Sequence, residues 1–348
     1  MAQKLFVALL IVLVILRIKS NPTMVDGQKL QVRGVVANDP KHGQFRSYFK
    51  IGSINVSSKK DVTIEYGQMI KVTGVYSEGF LQADSVNFEK DPGAVAKIRS
   101  KLIENIRSSL HEPHASLVSG VFLGARPSVE VFDERLKEVG LSHVVVASGG
   151  NIALVLSVVN FVFVGKVKRK FLLLIISVSI FAYMLFSGFG PPIVRAGVMV
   201  GLVFLAQIFG KPSSTLRVLF LAIVFCLILF PHWIGDISFL LSASATWGLI
   251  YLAPIISKRM SALPEFLRLP ASTTLSAQIA TAPIIIFYFK NFQPLSVIYN
   301  LLVVWVTPFI FIVGLFGSAT YFVSSQLSSA IYYLALPFTS WFNFVIGL

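Results

Sequence analysis

Beyond residue 140 the sequence has almost no acid. Asp236 and Glu265 are the only carboxylates in residues 141–348, and that stretch holds just 13 of the chain's 46 charged side chains. Two carboxylates are too few for a metal cage or an obvious proton relay. Histidine is scarce as well. His42, His111, His114, His143 and His232 form neither His-x-His nor His-Glu-x-x-His, which excludes the familiar metal-hydrolase signatures. There is no Walker lysine and no dinucleotide fingerprint. One cysteine, Cys226, rules out an intrachain disulfide and reads as small apolar filler. These absences give little support to bond-breaking chemistry or ATP-driven pumping, so the expectation is a protein without catalysis, cofactor or metal.

What the chain has instead is apolar length. Hydrophobic residues make up 55% of its 348 positions, while only 13% are charged, about half the level usual in soluble domains. About eight apolar runs follow residue 140: 143–164, 171–187, 192–209, 216–231, 237–256, 271–289, 295–318 and 327–346. Each is near the ~20 residues that a helical span needs. Lys166, Lys168, Arg169, Lys170, Lys211, Arg217, Lys258, Arg259 and Arg268 fall in alternate breaks, whereas the intervening breaks hold only Lys290. Because basic loops stay in the cytoplasm, this asymmetry orients the spans. The span at 143–164 then runs inward, and the polar segment before it lies outside.

That polar segment divides in three. Residues 1–19 read as a transmembrane anchor around "LFVALLIVLVIL"; a cleaved signal peptide is the alternative, but no small-x-small site follows. Arg17 and Lys19 lie on the unfavoured side for such an anchor. Residues 26–92 contain five short β-branched and aromatic segments: "KLQVRGVVA", "FRSYFKIGSINV", "DVTIEY", "QMIKVTGVYS" and "FLQADSVNFE". This pattern predicts a small closed barrel, OB-like in preference to SH3-like, with Gly34 and Gly74 at strand bends. Residues 93–140 hold two amphipathic helices. In 94–110, Val95, Ile98, Leu102, Ile106 and Leu110 share a face and Lys97, Arg99, Lys101 and Arg107 fill the remainder, suiting a lipid surface or an ordinary protein contact. In 128–139, Ser128 is the expected cap, Val129, Phe132, Leu136 and Val139 the apolar stripe, and Gly140 the stop. The fold class is thus a polytopic α-helical membrane protein with a small extracytoplasmic all-β domain.

The candidate site consists of polar features at membrane depth. In "HVVVASGGNIALV", Ser148, Gly149, Gly150 and Asn151 break a span behind His143. Glycine weakens a helix by about 1 kcal/mol relative to alanine, and a break is tolerated only where protein or water satisfies the freed groups. Close packing of small residues and a break facing a lumen are both open. In "SGFGPPIVRAG", Gly188, Gly190, Pro191 and Pro192 force a turn, and Arg195 follows one helical turn later. An arginine in a span either snorkels or binds an anion such as phosphate, helped by the nearby helix N-terminus. In "PHWIGDISFLLSASA", Asp236 either caps the next span or pairs with Arg195. Gln278 and Asn300 are lone amides suited to interhelical hydrogen bonds, and Pro283 and Pro308 are expected to kink their helices.

The order of these motifs resembles the competence domain of the ComEC family, over roughly residues 115–325. The carrying stretches are "LVSGVFLGARPSVEVFDERLKEVGLSHVVVASGGNIALV", "FSGFGPPIVRAGVM", "DISFLLSASATWGLIYLAP" and "QIATAPIIIFYFKNFQPLSVIYNLLVV". The resemblance implies a channel in the cell membrane that passes single-stranded DNA inward during natural transformation. It implies a place in the DNA path for His143, Ser148, Gly149, Asn151, Arg195, Asp236, Ser242 and Asn300. It also departs from the family pattern. Asn151 stands where a second histidine is usual, and Leu240 where glutamine is common. Many relatives continue into a metallo-β-lactamase-like nuclease domain, whereas this sequence reaches Leu348 without one. The partners implied are single-stranded DNA, the lipid bilayer, a separate nuclease, a DNA receptor and a cytoplasmic helicase. On the barrel, Phe45, Tyr48 and Phe49 interleave with Arg46 and Lys50, a combination suited to stacking bases and holding phosphates. The competing expectations are a small-solute or ion transporter and an adaptor whose barrel binds a partner. No repeat of the inverted kind common in transporters is visible.

Overall fold

The computed structural model describes residues 12–18, 25–42, 45–59, 62–146, 148–290 and 293–348. It divides into two units, residues 21–108 and the remainder, including residues 1–20.

The first unit is a β-barrel with one helix. Its strands are β1 (Lys29–Val35), β2 (Lys41–His42), β3 (Arg46–Ile51), β4 (Ile54–Lys59), β5 (Met69–Ser77) and β6 (Phe80–Lys90). The sheet order is β1-β5-β6-β4-β3-β2, and a bridge from Val36 to Ile51 joins β1 back to β3. β4 and β6 pair in parallel, whereas the other pairs are antiparallel. That ring, with its single parallel pair, is the OB arrangement; a purely antiparallel meander has no such pair.

Two segments fold differently from their expectation. "FRSYFKIGSINV" is a hairpin, not one strand: Ile51 pairs with Ile54 across Gly52–Ser53, and Gly52 has φ +58°. A Gly-Ser dipeptide between apolar runs is a two-residue hairpin signal. The described part of "DVTIEY" forms no strand, although Ile64 still enters the core. Alternation along the strands sends Val36, Phe49, Ile51, Val56, Ile70, Val72 and Leu81 inward. Each contributes roughly 1.5–3 kcal/mol by burial. Phe49, 2% exposed, is therefore a core residue and not a surface contact. Gly74 sits at a register shift opposite β6, where a Cβ would collide with the Gln82 carbonyl. A side chain there would force the sheet open.

Helix α1 (Ala94–Ser109) belongs to this unit. Arg99 lies on its buried face, not on the polar remainder. It is 2% exposed and makes a bidentate ion pair with Asp39 at 2.6 and 2.8 Å. The guanidinium also lies 4.4 Å from the centre of the Tyr66 ring. Burial alone would lower the Arg99 pKa; the hydrogen bond and charge of Asp39 overcome it and hold the pKa above its usual value.

The second unit is helical: α2 (His114–Leu123), α3 (Glu130–Glu138), α4 (Ser142–Val145), α5 (Gly149–Phe163), α6 (Arg169–Ser187), α7 (Pro191–Ile208), α8 (Thr215–Leu229), a 3-10 turn (Pro231–Gly235), α9 (Ile237–Arg259), α10 (Glu265–Phe289), α11 (Ser296–Val303), α12 (Thr307–Tyr321), α13 (Ser325–Tyr333) and α14 (Leu336–Ile346). Phe132 and Leu136 of α3 are buried as its stripe predicts, but Ser128 does not cap it. The Ser128 hydroxyl instead bonds Glu112 and lies 3.0 Å from Ser116 Oγ.

Among the described residues four helices, α6, α7, α9 and α10, are long and apolar enough to cross a bilayer. Two bent pairs, α11 with α12 at 48° and α13 with α14 at 46°, bring the number to six when each pair is taken as one broken span. All eight expected apolar runs are helical, and α5 and α8 are the two that fall short of a full span's length. Helices α5 and α8 have 15 residues each. That is ~22 Å at 1.5 Å per residue, short of a ~30 Å hydrocarbon core. For α5 the cause is local: Val146 and Ser148 are extended, so the helix begins only at Gly149. Pro308 sits just after the break between α11 and α12, whereas Pro283 lies inside an unbroken α10. The protein is a polytopic helical membrane protein carrying an OB-like domain.

Of the N-terminal stretch, helical residues 12–18 are described and the rest lies outside the described residues. Val14 packs with Val194, Val224, Leu227, Trp233 and Phe239. Arg17 Nε donates to the Ile228 carbonyl at 3.3 Å. That carbonyl lies in the last turn of α8, where acceptors lack helical partners and a cation is favoured. This local contact accounts for a basic residue at an end the orientation rule disfavours.

Candidate functional site

The turn between α6 and α7 follows from its residues. Gly188 closes α6 with φ +91°, and Pro191 and Pro192 occupy the first helical positions of α7, where a missing N–H costs nothing. Arg195, the fifth residue of α7, is 4% exposed. It does not snorkel. Its Nη2 and Nε donate to Ser242 Oγ at 2.7 and 3.2 Å, and Nη1 lies 3.1 Å from Met199 Sδ. Among the described residues no carboxylate forms an ion pair with it. Asp236 caps α9, accepting from the Phe239 N–H at 3.1 Å. Capping places Ser242 one and a half turns into α9.

Gly149 lies against this arginine. A Cβ on Gly149 would stand 3.3 Å from Ala196 Cβ, 3.6 Å from the Pro192 carbonyl and 3.7 Å from Arg195 Nη2. The first of these is tighter than ordinary contact, so the broken helix approaches α7 through its missing side chain. Ser148 and Gly149 are half-buried, whereas Gly150 is exposed.

Asn151, 7% exposed, turns the other way. Its Nδ2 donates to the Val121 carbonyl and to Tyr183 Oη, both at 2.8 Å, and Tyr183 Oη donates to the Phe122 carbonyl at 3.1 Å. Ser148 Oγ reaches Asn151 Oδ1 at 3.4 Å. The carbonyls of Val121 and Phe122 belong to the last turn of α2, whose acceptors need partners from outside the helix. Asn151 and Tyr183 thus tie the end of α2 to the start of α5.

A second polar group gathers the other candidates. His143 Nδ1 donates to the Gly140 carbonyl at 3.1 Å, and the imidazole also hydrogen-bonds the Asn300 side chain. Asn300 Nδ2 donates to Thr274 Oγ1 at 3.0 Å. Gln278 Nε2 donates to Ser296 Oγ at 2.7 Å and to the Gln293 carbonyl at 3.1 Å. His143 itself remains exposed. The structure therefore brings Gly149, Arg195 and Ser242 together, and separately His143, Gln278 and Asn300. Helix α9 carries Ser242 of the first set and α10 carries Gln278 of the second, and the two helices touch at Gly248, where a Cβ would meet the Ser276 carbonyl at 2.6 Å. Among the described residues no cluster of three or more His, Cys, Asp or Glu is placed to hold a metal ion.

Sequence reasoning missed Tyr183, Thr274 and Ser296. Tyr183 and Thr274 are ordinary in apolar runs, and only their partners mark them. Ser296 had a signal: it lies one helical turn before Asn300.

On the barrel, Arg46, Tyr48 and Lys50 alternate outward from β3, and Phe45 beside them is 84% exposed. Tyr48 meets Phe80 edge-to-face at 5.8 Å. Arg46 Nη1 bonds Gln82 and reaches Ser57 Oγ at 3.3 Å. Lys59 stands opposite Arg46 in the pairing, and Lys41 opposite Tyr48. This face is basic and aromatic even without Phe49.

Comparison with known proteins agrees with these motifs. ComE operon protein 3 of Bacillus subtilis (strain 168) is 24% identical over 258 residues, which cover 73% of this chain but 32% of the relative. The chain thus spans about a third of the length of the curated relative it matches. No solved structure matches it. The family described as Competence protein matches residues 123–348. The chain belongs to this family, the ComEC family of competence proteins.

Proposed function

We propose that the protein is a channel in the cell membrane through which single-stranded DNA enters the cytoplasm during competence, and that it performs no catalysis of its own. One observation carries the reading: Arg195 is buried beside a glycine-broken helix with only neutral hydrogen-bond partners. Burying an unpaired charge costs several kcal/mol. A site that keeps the charge there suits an anion that comes and goes. A guanidinium binds phosphate bidentately, and the α7 N-terminus adds favourable potential.

In this reading the described arrangement is the closed one. Arg195 rests on Ser242, and the Asn151–Tyr183 pair holds α5 against α2. An arriving phosphodiester displaces the Ser242 hydroxyl from Arg195. The barrel lies outside the membrane, and its Phe45, Arg46, Tyr48 and Lys50 face receives the strand first. His143, Gln278 and Asn300 form a second polar station. A DNA receptor and a cytoplasmic helicase act as partners. A small-solute transporter would leave the basic, aromatic barrel face unexplained.

The test uses a transformable host whose own copy is replaced by this chain. Arg195→Ala is expected to leave DNA bound at the cell surface while lowering DNA that reaches the cytoplasm by about a hundredfold, the effect of losing a charged contact of about 3 kcal/mol. Arg195→Lys keeps part of the activity. Normal internal DNA in the alanine variant would refute the role of Arg195. Normal transformation after deletion of the gene would refute the channel.

A further inference from the structure

The loop joining α5 to α6 carries Lys166 and Lys168, with Arg169 and Lys170 in the first turn of α6, and the one joining α7 to α8 carries Lys211, with Arg217 in the first turn of α8. All six are exposed. The sequence holds no aspartate or glutamate from Val139 to Gly235, so no carboxylate of either loop neutralises them. Arg169 Nη2 donates to Gln207 Oε1 at 3.2 Å, which sets the start of α6 beside the end of α7. The six cations therefore share one end of the helical unit. The same helix ends also expose apolar side chains: Phe161, Val164, Ile208, Phe209 and Leu216.

We propose that this pair of loops binds the phosphate headgroups of anionic lipids. Basic and apolar side chains exposed side by side at these helix ends match a headgroup layer beside acyl chains. Lysine stems lie along apolar surface while their ammonium groups reach upward to phosphate. Each basic residue near an anionic membrane surface contributes about 1 kcal/mol, and clusters of four to eight beside a span select anionic lipid. Phe161 and Phe209 offer rings on which a base can stack, but they are two of the five apolar side chains here. Val164, Ile208 and Leu216 are aliphatic and offer contact to acyl chains instead.

The experiment measures lipid retained by the purified full chain, by native mass spectrometry, after equilibration with equal phosphatidylglycerol and phosphatidylcholine. The wild type is expected to retain phosphatidylglycerol preferentially, and raising the salt concentration to erase the preference. Lys166→Gln, Lys168→Gln and Lys170→Gln together are expected to lower that preference about tenfold or more, from the per-charge contribution above. Thermal unfolding in pure phosphatidylcholine is expected to be unchanged, since the three side chains are exposed. Equal retention of both lipids by the wild type would overturn the proposal, as would an unaltered preference in the triple variant. Displacement of phosphatidylglycerol by oligo-dT at low salt would assign the surface to nucleic acid instead. Should the triple variant not accumulate, Lys166→Gln alone and the salt titration of the wild type decide the matter.

Discussion

Arg195 Nη2 and Ser242 Oγ stand 2.7 Å apart, a cation held by a hydroxyl where an ion pair is the usual arrangement. Supplying the missing carboxylate separates stability from passage. Ser242→Asp is expected to raise the melting temperature by a few degrees, because an already buried guanidinium gains a charged partner. It is also expected to lower internalised DNA at least about tenfold, because the carboxylate competes with phosphate. Thermal unfolding in detergent and uptake of labelled DNA check the two effects separately. A variant that unfolds earlier and imports normally would contradict this reading of the site.

The Asn151–Tyr183 pair is expected to act as a unit. Asn151→Ala leaves the Val121 carbonyl without its donor and is expected to cost about 1–3 kcal/mol. Tyr183→Phe is expected to cost about 1 kcal/mol. The double variant should fall short of the sum by about 0.5–2 kcal/mol, as residues in one network do. A double-mutant cycle on thermal or denaturant unfolding measures this. Strict additivity would show that the two side chains act independently.

Arg99 makes α1 part of the barrel. A fragment of residues 25–108 is expected to fold, while one ending at residue 92 loses the Asp39 partner and is less stable. In the longer fragment Arg99→Ala should cost about 2–3 kcal/mol, less than a fully buried pair because Asp39 reaches solvent. Burial raises the Tyr66 pKa, with Arg99 only partly offsetting it. A phenol harder to ionise in the folded state contributes stability that is complete below its ordinary value of 10.0 and is lost as pH rises through the folded value. Denaturant melts should therefore weaken above about pH 10, and Tyr66→Phe should remove that part of the decline.

On the barrel face, neighbouring aromatics have opposite fates. Tyr48→Ala is expected to weaken oligo-dT binding by about 1–3 kcal/mol with little loss of stability. Phe49→Ala is expected to destabilise the fold by about 3–5 kcal/mol, because it empties the core. Titration and unfolding of the 25–108 fragment distinguish them. Salt-insensitive binding, or none at low salt, would remove DNA from this face.

The sequence made the barrel legible because alternation and glycine bends are local. It misplaced Phe49 because an aromatic next to a cation looks alike whether it faces in or out; only the register decides. Arg99 was unreadable for a related reason. A buried arginine depends on a partner 60 residues away, which helical periodicity does not report. The polar break at Ser148 to Asn151 was visible, but not the direction of each group, since Asn151 answers to carbonyls on α2. Span lengths were overestimated where extended residues such as Val146 interrupt an apolar run without changing its hydropathy.

The most direct test is a photo-crosslink from inside the site. A photoreactive phenylalanine analogue replaces Ser242 in one strain and Phe181, an exposed residue on α6, in another, and the cells are irradiated while taking up labelled DNA. The account predicts a DNA adduct at position 242 and none at position 181. DNA entering the cytoplasm at normal levels with no adduct at 242, or equal adducts at both positions, would contradict it.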